Sequence, residues 1–204
     1  TLSEGLPFVL AGSDILRSKS FDGNSYNSGD WFNAIDWSMS TNGMGRGMPL
    51  GISGAKATLA SSLLTNSNLR PTANDMKKSS AMWQDFLKVR YSSPLFRLGT
   101  GKQINLRVKY LVGGSSAKQG MLVEQILDTG KGITNLDKKY KSAVIVYNVT
   151  PKAITYKSKA LAKSGFVLAP AQAKGSDSVV KTAKFKAGTF AVPPLTIAVF
   201  FQTK

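Results

Sequence analysis

The second half of the chain has a hydrophobic period of two, which restricts it to β structure. Between residues 104 and 110 apolar side chains alternate with polar ones, as they do in a half-buried strand. Further apolar runs, separated by Gly, Pro, Asn and Asp turns, predict strands at residues 121–127, 143–149, 153–157, 166–169, 179–186 and 195–201. Their number and spacing predict an antiparallel β-sandwich of about 100 residues.

The first half of the chain is richer in turn residues than in periodic segments. Residues 6–11 form a short apolar run that predicts a buried strand, and a loop-rich region follows it. Asn74 is the predicted N-cap of a helix over residues 75–91, and Pro94 marks the end of that helix. The sequence therefore predicts a mainly β chain with two domains, residues 1–99 and residues 100–204.

The sequence contains neither cysteine nor histidine. This excludes a disulfide framework, thiolate and imidazole metal sites, and Ser-His-Asp or Cys-His triads. We predict no cofactor and no bound metal. We also predict no membrane partner, because the longest apolar run, residues 195–201, is far short of the roughly 20 residues that a membrane-spanning helix needs.

The charge of the chain is high and unevenly distributed. Twenty-seven Lys and Arg residues against eleven Asp and Glu residues give a formal net charge of +16. Residues 1–85 hold seven basic and seven acidic side chains, so the whole excess lies in residues 86–204. Such asymmetry predicts a polyanionic partner. The dominance of lysine over arginine favours diffuse phosphate contacts over bidentate recognition of bases.

Several basic residues lie two residues apart and would share one face of a regular strand: Arg107 and Lys109, Lys139 and Lys141, Lys157 and Lys159, and Lys184 and Lys186. An alternative interpretation is that lysine merely solvates such a face or protects a sheet edge. The scarcity of acidic residues favours a positively charged surface, because solubility is usually served by mixed charges. The predicted RNA-binding residues are Arg107, Lys109, Lys138, Lys139, Lys141, Lys157, Lys159, Lys181, Lys184 and Lys186.

Several strings resemble a known enzyme family. DILRSKS at residues 14–20 and SYNSGDWFN at residues 25–33 are similar to the last barrel strand and following loop of pullulanase-type debranching enzymes. These enzymes, which include the plant limit dextrinases, are α-1,6-glucosidases of the α-amylase superfamily. The similarity continues at residues 89–100, 144–148, 165–172 and 188–193. It implies that residues 1–99 are the end of a (β/α)8 barrel, with one strand, a long loop and one or two helices, before the family's β-sandwich.

The resemblance also implies that this chain has no catalytic residue, since the family's catalytic carboxylates lie on earlier barrel strands. Glycoside hydrolysis needs two carboxyl groups across the scissile bond. The carboxylates of the loop, Asp14, Asp22, Asp30 and Asp36, are predicted to be loop or capping acceptors instead. Trp31 is interpreted as a structural residue that the fold has kept.

The chain departs from the family at polar and aromatic positions that would suit glucan binding. The departures are Leu10 for His, Gly23-Asn24 for Arg-Asp, Ala34 for Arg, Met44 for Trp, Ala169 for His and Leu195 for Arg. They imply a pseudoenzyme fragment whose fold was kept while its chemistry was lost.

The leading hypothesis is a non-catalytic, RNA-binding structural subunit of a ribonucleoprotein, namely an organellar ribosome, in the mitochondrion in preference to the plastid. Its lysines would contact rRNA phosphates, neighbouring proteins would cover the barrel-end remnant, and it would have no small-molecule substrate. The main alternative is the C-terminal fragment of an active debranching enzyme that hydrolyses α-1,6-glucosidic bonds. A glucan-binding module and a protein that binds anionic membranes are the further alternatives.

Overall fold

A computed structural model describes all 204 residues of the chain. Its helices are α1 (Gly29–Asn33), α2 (Gly54–Thr65), α3 (Ala73–Ser92), α4 (Gly101–Arg107) and α5 (Pro170–Ala173). Its strands are β1 (Val108–Val112), β2 (Met121–Leu127), β3 (Tyr140–Asn148), β4 (Ile154–Lys157), β5 (Phe166–Leu168), β6 (Lys184–Lys186), β7 (Thr189–Val192) and β8 (Thr196–Thr203). None of the helices combines the length and the apolar character needed to cross a bilayer.

The chain divides into two compact units. The loop unit consists of Phe8–Trp83, and the sandwich unit consists of Thr1–Pro7 together with Gln84–Lys204. All eight strands belong to the sandwich unit. The sequence predicts a different division, into a barrel-end remnant at residues 1–99 and a β-sandwich at residues 100–204. That division follows from the hydrophobic pattern and the family resemblance, and it stays a prediction.

The strands form two antiparallel sheets. A five-stranded sheet has the order β1-β2-β3-β8-β5, and a three-stranded sheet has the order β4-β7-β6. Hairpins join β1 to β2, β2 to β3 and β6 to β7, whereas β8 pairs with β3 and β5, from which other strands separate it in the chain. The mainly β, antiparallel fold class predicted from the sequence is confirmed.

Both faces of the five-stranded sheet are buried. One face packs against the three-stranded sheet, where Val144 and Phe200 meet Phe190 and Val192. The other face packs under Val89 of α3 and the residues that follow this helix. A strand that is buried on both faces needs apolar side chains on both, which explains the continuous run from Ala143 to Val146.

Helix α3 begins at a capping box. The Thr72 Oγ1 atom accepts a hydrogen bond from Asp75 N at 3.2 Å, and Asp75 Oδ2 accepts one from Thr72 N at 2.9 Å. The helix was predicted almost in full, but the predicted cap at Asn74 is wrong. Asn74 lies inside the first turn, where its backbone is already helical.

The strand predicted over residues 104–110 is also wrong for its first part, because residues 101–107 form α4. Thr100 caps this helix, with its Oγ1 atom accepting a hydrogen bond from Gln103 N at 3.2 Å. The spacing Thr-x-x-Gln is a capping-box signature that competes with the period-two pattern. Strand β1 therefore starts only at Val108, and Arg107 lies at the end of a helix.

Four further elements differ from the sequence prediction. Residues 6–11 are not a strand, because no other strand of the chain pairs with them, and Phe8 is fully exposed. Residues 179–186 contain a 3₁₀ turn at Val180–Thr182 and only then β6. The helix α2 and the strand β7 were not predicted. Strand β7 has only four residues, too few to display a period.

The buried Glu124 of β2 makes the stability of the sandwich unit dependent on pH. Burial raises the pKa of this carboxyl, and the nearby Glu4 raises it further, while a long 3.5 Å hydrogen bond from Tyr147 Oη opposes them. A carboxyl group whose pKa is raised by folding retains its proton in the folded state above the pH at which the unfolded chain loses it. The contribution of Glu124 to stability is therefore greatest at low pH and falls as the pH rises above about 4.5.

We expect Glu124→Gln to remove this fall and to increase the free energy of unfolding at pH 7 by on the order of 1 kcal/mol, because an amide at this site carries no buried charge. Urea unfolding of both proteins at pH 4 and pH 7 measures the difference. The difference in the free energy of unfolding between the variant and the wild type should increase in favour of the variant as the pH increases. A variant that is less stable than the wild type at pH 7 contradicts the account.

Candidate functional site

The loop unit contains an open cavity of about 460 Å³. It lies between the turn that follows residue 20 and the segment before α2. The lining residues mix apolar and hydrogen-bonding side chains: Phe21, Asp22, Gly23, Asn24, Asn27, Ser28, Phe32, Pro49, Leu50, Gly51 and Ile52. A ligand that has both apolar faces and hydroxyl groups matches such a lining.

The backbone at the edge of this cavity adopts an uncommon conformation. Ser20 has φ 54° and Phe21 has φ 67°, both in the left-handed region that non-glycine residues rarely occupy. The fully buried Ser20 fixes the turn, since its Oγ atom accepts a hydrogen bond from Arg46 N at 2.9 Å. Such backbone strain persists only where the surroundings impose it, and it is concentrated at functional sites.

Asp22 lines the cavity with one carboxylate oxygen unsatisfied. Its Oδ1 atom accepts a hydrogen bond from Asn24 N at 3.2 Å, whereas its Oδ2 atom is buried without a hydrogen-bond partner. An orphaned buried acceptor costs free energy, and a donor from a bound ligand removes this cost. Asp22 is therefore a loop acceptor, as predicted from its position, and in addition retains an unused acceptor atom.

Trp31 presents its ring to solvent in a fixed orientation. Its indole Nε1 donates a hydrogen bond to Arg46 O at 2.6 Å, and Arg46 Nη1 donates back to Trp31 O at 2.9 Å and to Ala34 O at 3.2 Å. The side chain is nevertheless 65% exposed. The interpretation of Trp31 as a structural residue is consistent with these hydrogen bonds and stays a prediction, and the exposed ring leaves room for a contact with a ligand.

Two of the other loop carboxylates, Asp14 and Asp36, are engaged within the loop unit, whereas Asp30 lies in the first turn of α1 and its side chain accepts no hydrogen bond. Asp36 accepts hydrogen bonds from Ser38, Ser40 and Thr41, which hold the pKa of its carboxyl well below the usual range. Asp14 Oδ2 accepts a hydrogen bond from Ser80 Oγ at 2.9 Å. No group of three or more acidic residues that could hold a metal ion occurs in the chain.

The basic residues predicted to bind RNA do not form one surface. Arg107 is fully buried, and Lys141 is partly buried. Lys139 lies before β3 and Lys159 lies after β4, so the expected pairing of each with a lysine on the same strand is wrong. The exposed members of the predicted set are Lys109, Lys138, Lys139, Lys157, Lys159, Lys181, Lys184 and Lys186.

Arg107 was predicted to face solvent, but it is the centre of a buried hydrogen-bond network in the sandwich unit. Its Nη1 atom donates to Asp128 Oδ1 at 2.7 Å and to Leu127 O at 3.1 Å, and its Nε atom donates to Gln103 Oε1 at 2.7 Å. Its Nη2 atom donates to Thr134 O. Every nitrogen of the guanidinium group is thus satisfied within the protein, and none is left for a ligand.

No sequence pattern marks the cavity residues as a site. Phe21, Asp22 and Leu50 come together only through the left-handed turn and the long loop, which no periodicity reveals. The string from residue 25 to residue 33 contained the available signal, because it places Trp31 and Phe32 side by side in a polar loop.

Comparison with protein families assigns most of the chain. A family model described as alpha-1,6-glucosidases, pullulanase-type, C-terminal, matches residues 39–203. Pullulanase 1, chloroplastic, of Arabidopsis thaliana is 38% identical over 209 residues, an alignment that covers 100% of this chain and 22% of the relative. The pullulanase of Klebsiella pneumoniae is 32% identical over 199 residues, covering 97% of this chain and 18% of the relative. The chain thus spans about a fifth of the length of these relatives.

Solved structures give the same result. The maltotriose complex of PulA from Klebsiella pneumoniae superposes with a TM-score of 0.84 and 30% identity, over 95% of this chain and 21% of that one. PulA from Klebsiella oxytoca superposes with a TM-score of 0.83 and 30% identity, over 95% of this chain and 18% of that one.

These comparisons overturn the predicted function. The matching relatives and structures are pullulanases, one of them in complex with maltotriose, and none of them is a ribosomal or RNA-binding protein. The prediction of an RNA-binding ribosomal subunit with rRNA and protein neighbours and no small-molecule substrate is therefore wrong. The error came from the net charge, which indicates the sign of a partner but not its chemical class.

Proposed function

Because the chain belongs to the pullulanase-type α-1,6-glucosidases and corresponds to their C-terminal region, we propose that it works as the C-terminal part of a debranching enzyme that hydrolyses α-1,6-glucosidic bonds. Its loop unit contacts the α-glucan, and its sandwich unit is a folded support. The catalytic acid and nucleophile come from parts of the enzyme outside this sequence.

The fixed, exposed ring of Trp31 is the observation that carries the glucan contact. A sugar ring has an apolar face of C–H groups, which stacks on an aromatic ring in the way that aromatic side chains stack on one another. Because the hydrogen bond from Nε1 to Arg46 O already orients the indole, and Arg46 also holds the Trp31 backbone, little further ordering is needed when a glucan binds. The cavity in the same unit adds Phe32 to the lining.

The hydrogen bonding of two carboxylates in the loop unit supports the proposal that this chain alone is not catalytic. Asp36 and Asp14 are occupied by hydrogen bonds from their own unit. The pKa of Asp36 is lowered, whereas a general acid needs a raised pKa. The proposal of a non-catalytic region concerns this sequence only and leaves the activity to the enzyme of which it is a part.

We propose a plastid as the compartment. The relative from Arabidopsis thaliana is named as chloroplastic, and its alignment extends over the whole of this chain. The preference for the mitochondrion in the sequence analysis depended on the ribosomal hypothesis and has no other support.

The glucan contact is tested by affinity electrophoresis of the chain in gels that contain pullulan. We expect pullulan to retard the wild-type chain and Trp31→Ala to weaken the apparent affinity roughly 2- to 10-fold, the equivalent of 0.5–1.5 kcal/mol of aromatic stacking. A hydrolysis assay of the same samples should show no release of reducing sugar by the chain alone.

Trp37→Ala is the matched control for this experiment. Trp37 belongs to the same unit and is 63% exposed, but no hydrogen bond fixes its indole group. Its removal should leave the retardation nearly unchanged. An absence of retardation for the wild-type chain, or equal losses for the two variants, would refute the proposed contact, and hydrolysis by the chain alone would refute its non-catalytic role.

A further inference from the structure

The outer face of the three-stranded sheet has a regular arrangement of lysines. Lys157 of β4 and Lys186 of β6 are both paired with Thr189 of the central strand β7, so the three residues form one row across the sheet. Lys184 is paired with Ala191 in the next row. With strands about 4.8 Å apart, Lys157 and Lys186 are separated by about 10 Å, and Lys184 and Lys186 by about 7 Å.

These side chains face solvent, because the residues between them face the core. Phe185 packs between Lys184 and Lys186 on the inner side, with its ring 4.7 Å from that of Phe190. The central strand contributes only the small side chains of Thr189 and Ala191 to the outer face. The result is a shallow trough with lysines on both sides, which we call the lysine trough.

No acidic residue offsets this charge. The ammonium groups of the lysine trough make no hydrogen bond or ion pair within the protein, since the ion pairs involve only Lys88, Arg107 and Lys204. Between residues 150 and 195 the sequence has eight lysines and a single acidic residue, Asp177. The Asp177 Oδ1 atom accepts a hydrogen bond from Val179 N and so serves its own turn.

Protection of sheet edges accounts for part of this pattern, since β4 and β6 are the outer strands of the sheet. It does not require that acidic residues be excluded, because Glu protects an edge as well as Lys does. Three unpaired ammonium groups on strands about 10 Å apart repel one another, and an anionic ligand that lies in the trough removes the repulsion.

We propose that the lysine trough binds phosphate monoester groups carried by the α-glucan substrate. This inference rests on the proposed function, which makes a glucan the ligand of the chain. A neutral glucan offers nothing to ammonium groups beyond weak hydrogen bonds, whereas a phosphate ester offers two negative charges and three acceptor oxygens. Lysine fits this ligand because phosphate groups at variable spacing need mobile point charges and no fixed bidentate geometry.

The experiment compares the binding of the chain to phosphorylated amylopectin and to the same polymer after phosphatase treatment. We expect the wild-type chain to bind the phosphorylated polymer roughly tenfold more tightly. The triple variant Lys157→Gln/Lys184→Gln/Lys186→Gln should bind the two polymers equally. The preference should also weaken when the salt concentration is raised, because salt screens exposed charges.

The matched control is Lys102→Gln/Lys131→Gln/Lys138→Gln, which removes the same charge from exposed sites elsewhere on the sandwich unit. It should retain the preference for the phosphorylated polymer. Equal binding of the two polymers by the wild-type chain overturns the proposal, as does a preference that survives in the trough variant. Equally tight binding of single-stranded RNA or polyglutamate also overturns it, because the trough would then not recognise a glucan.

This test is independent of the test of the glucan contact. Retardation by neutral pullulan depends on Trp31, whereas the preference for phosphate depends on the trough. If pullulan still retards the chain while the two amylopectins bind equally, the phosphate site fails and the proposed function stands.

Discussion

Replacing Arg107 by alanine is expected to lower the free energy of unfolding of the sandwich unit by about 3–5 kcal/mol. The substitution leaves Asp128 buried with its principal cation removed, and the side chain of Lys204, 3.3 Å from Asp128 Oδ2, is partly exposed and cannot replace it. It also leaves the carbonyl groups of Leu127 and Thr134 without their donor. Urea unfolding monitored by circular dichroism measures the loss.

Lys109→Ala is the control, because Lys109 is exposed two residues further along the chain and should change stability by less than about 0.5 kcal/mol. A second variant separates the loss of the pair from the isolation of one charge. Arg107→Met with Asp128→Leu removes both charges and should be considerably more stable than Arg107→Ala. If Arg107→Ala unfolds at the same urea concentration as the wild type, the network does not contribute to stability.

Phe190→Ala is expected to destabilise the sandwich unit by about 3–5 kcal/mol. Phe190 is completely buried between the two sheets. The rings of Phe185, Phe200 and Phe166 surround it with centroid distances of 4.7, 5.1 and 5.4 Å. Removal of the ring leaves a cavity between the two sheets, and this cavity cannot close unless one of the sheets moves. The midpoint of urea unfolding and its slope report the effect.

Phe190→Leu provides a graded comparison and should cost less than half as much, because most of the cavity remains filled. Tyr110→Ala provides the surface control, since Tyr110 is 64% exposed on the outermost strand of the larger sheet. Similar losses for Phe190→Ala and Tyr110→Ala would show that the interface between the sheets is not the main source of stability.

The elements that were predicted well are those with strong local patterns. The bounds of β2 were predicted in full and α3 almost so, because each is long enough to display its period. Helix α4 was missed because its two apolar side chains, Ile104 and Leu106, lie two residues apart, and only the cap at Thr100 indicates a helix. The apolar run at residues 6–11 was misread because a strand depends on partners that its own sequence does not specify.

The site was less predictable than the fold. The burial of Arg107 depends on its ion pair with Asp128, which is 21 residues away in the sequence. The two residues come together only when β1 and β2 pair. The lysine trough was partly predicted, since Lys184 and Lys186 share a strand face, but Lys157 joins them only through the register of β7. Trp31 and its orienting Arg46 lie 15 residues apart in a loop without a regular period.

The position of β8 in the larger sheet affects how the nascent chain can fold. This strand lies between β3 and β5, yet it follows both of them in the sequence. Until translation reaches it, the edge of β3 has no partner and the apolar side chains of both sheets are uncovered, a state prone to association with other chains. The larger sheet can therefore be completed only after β8 is synthesised, so a chaperone has its main opportunity to act before that point.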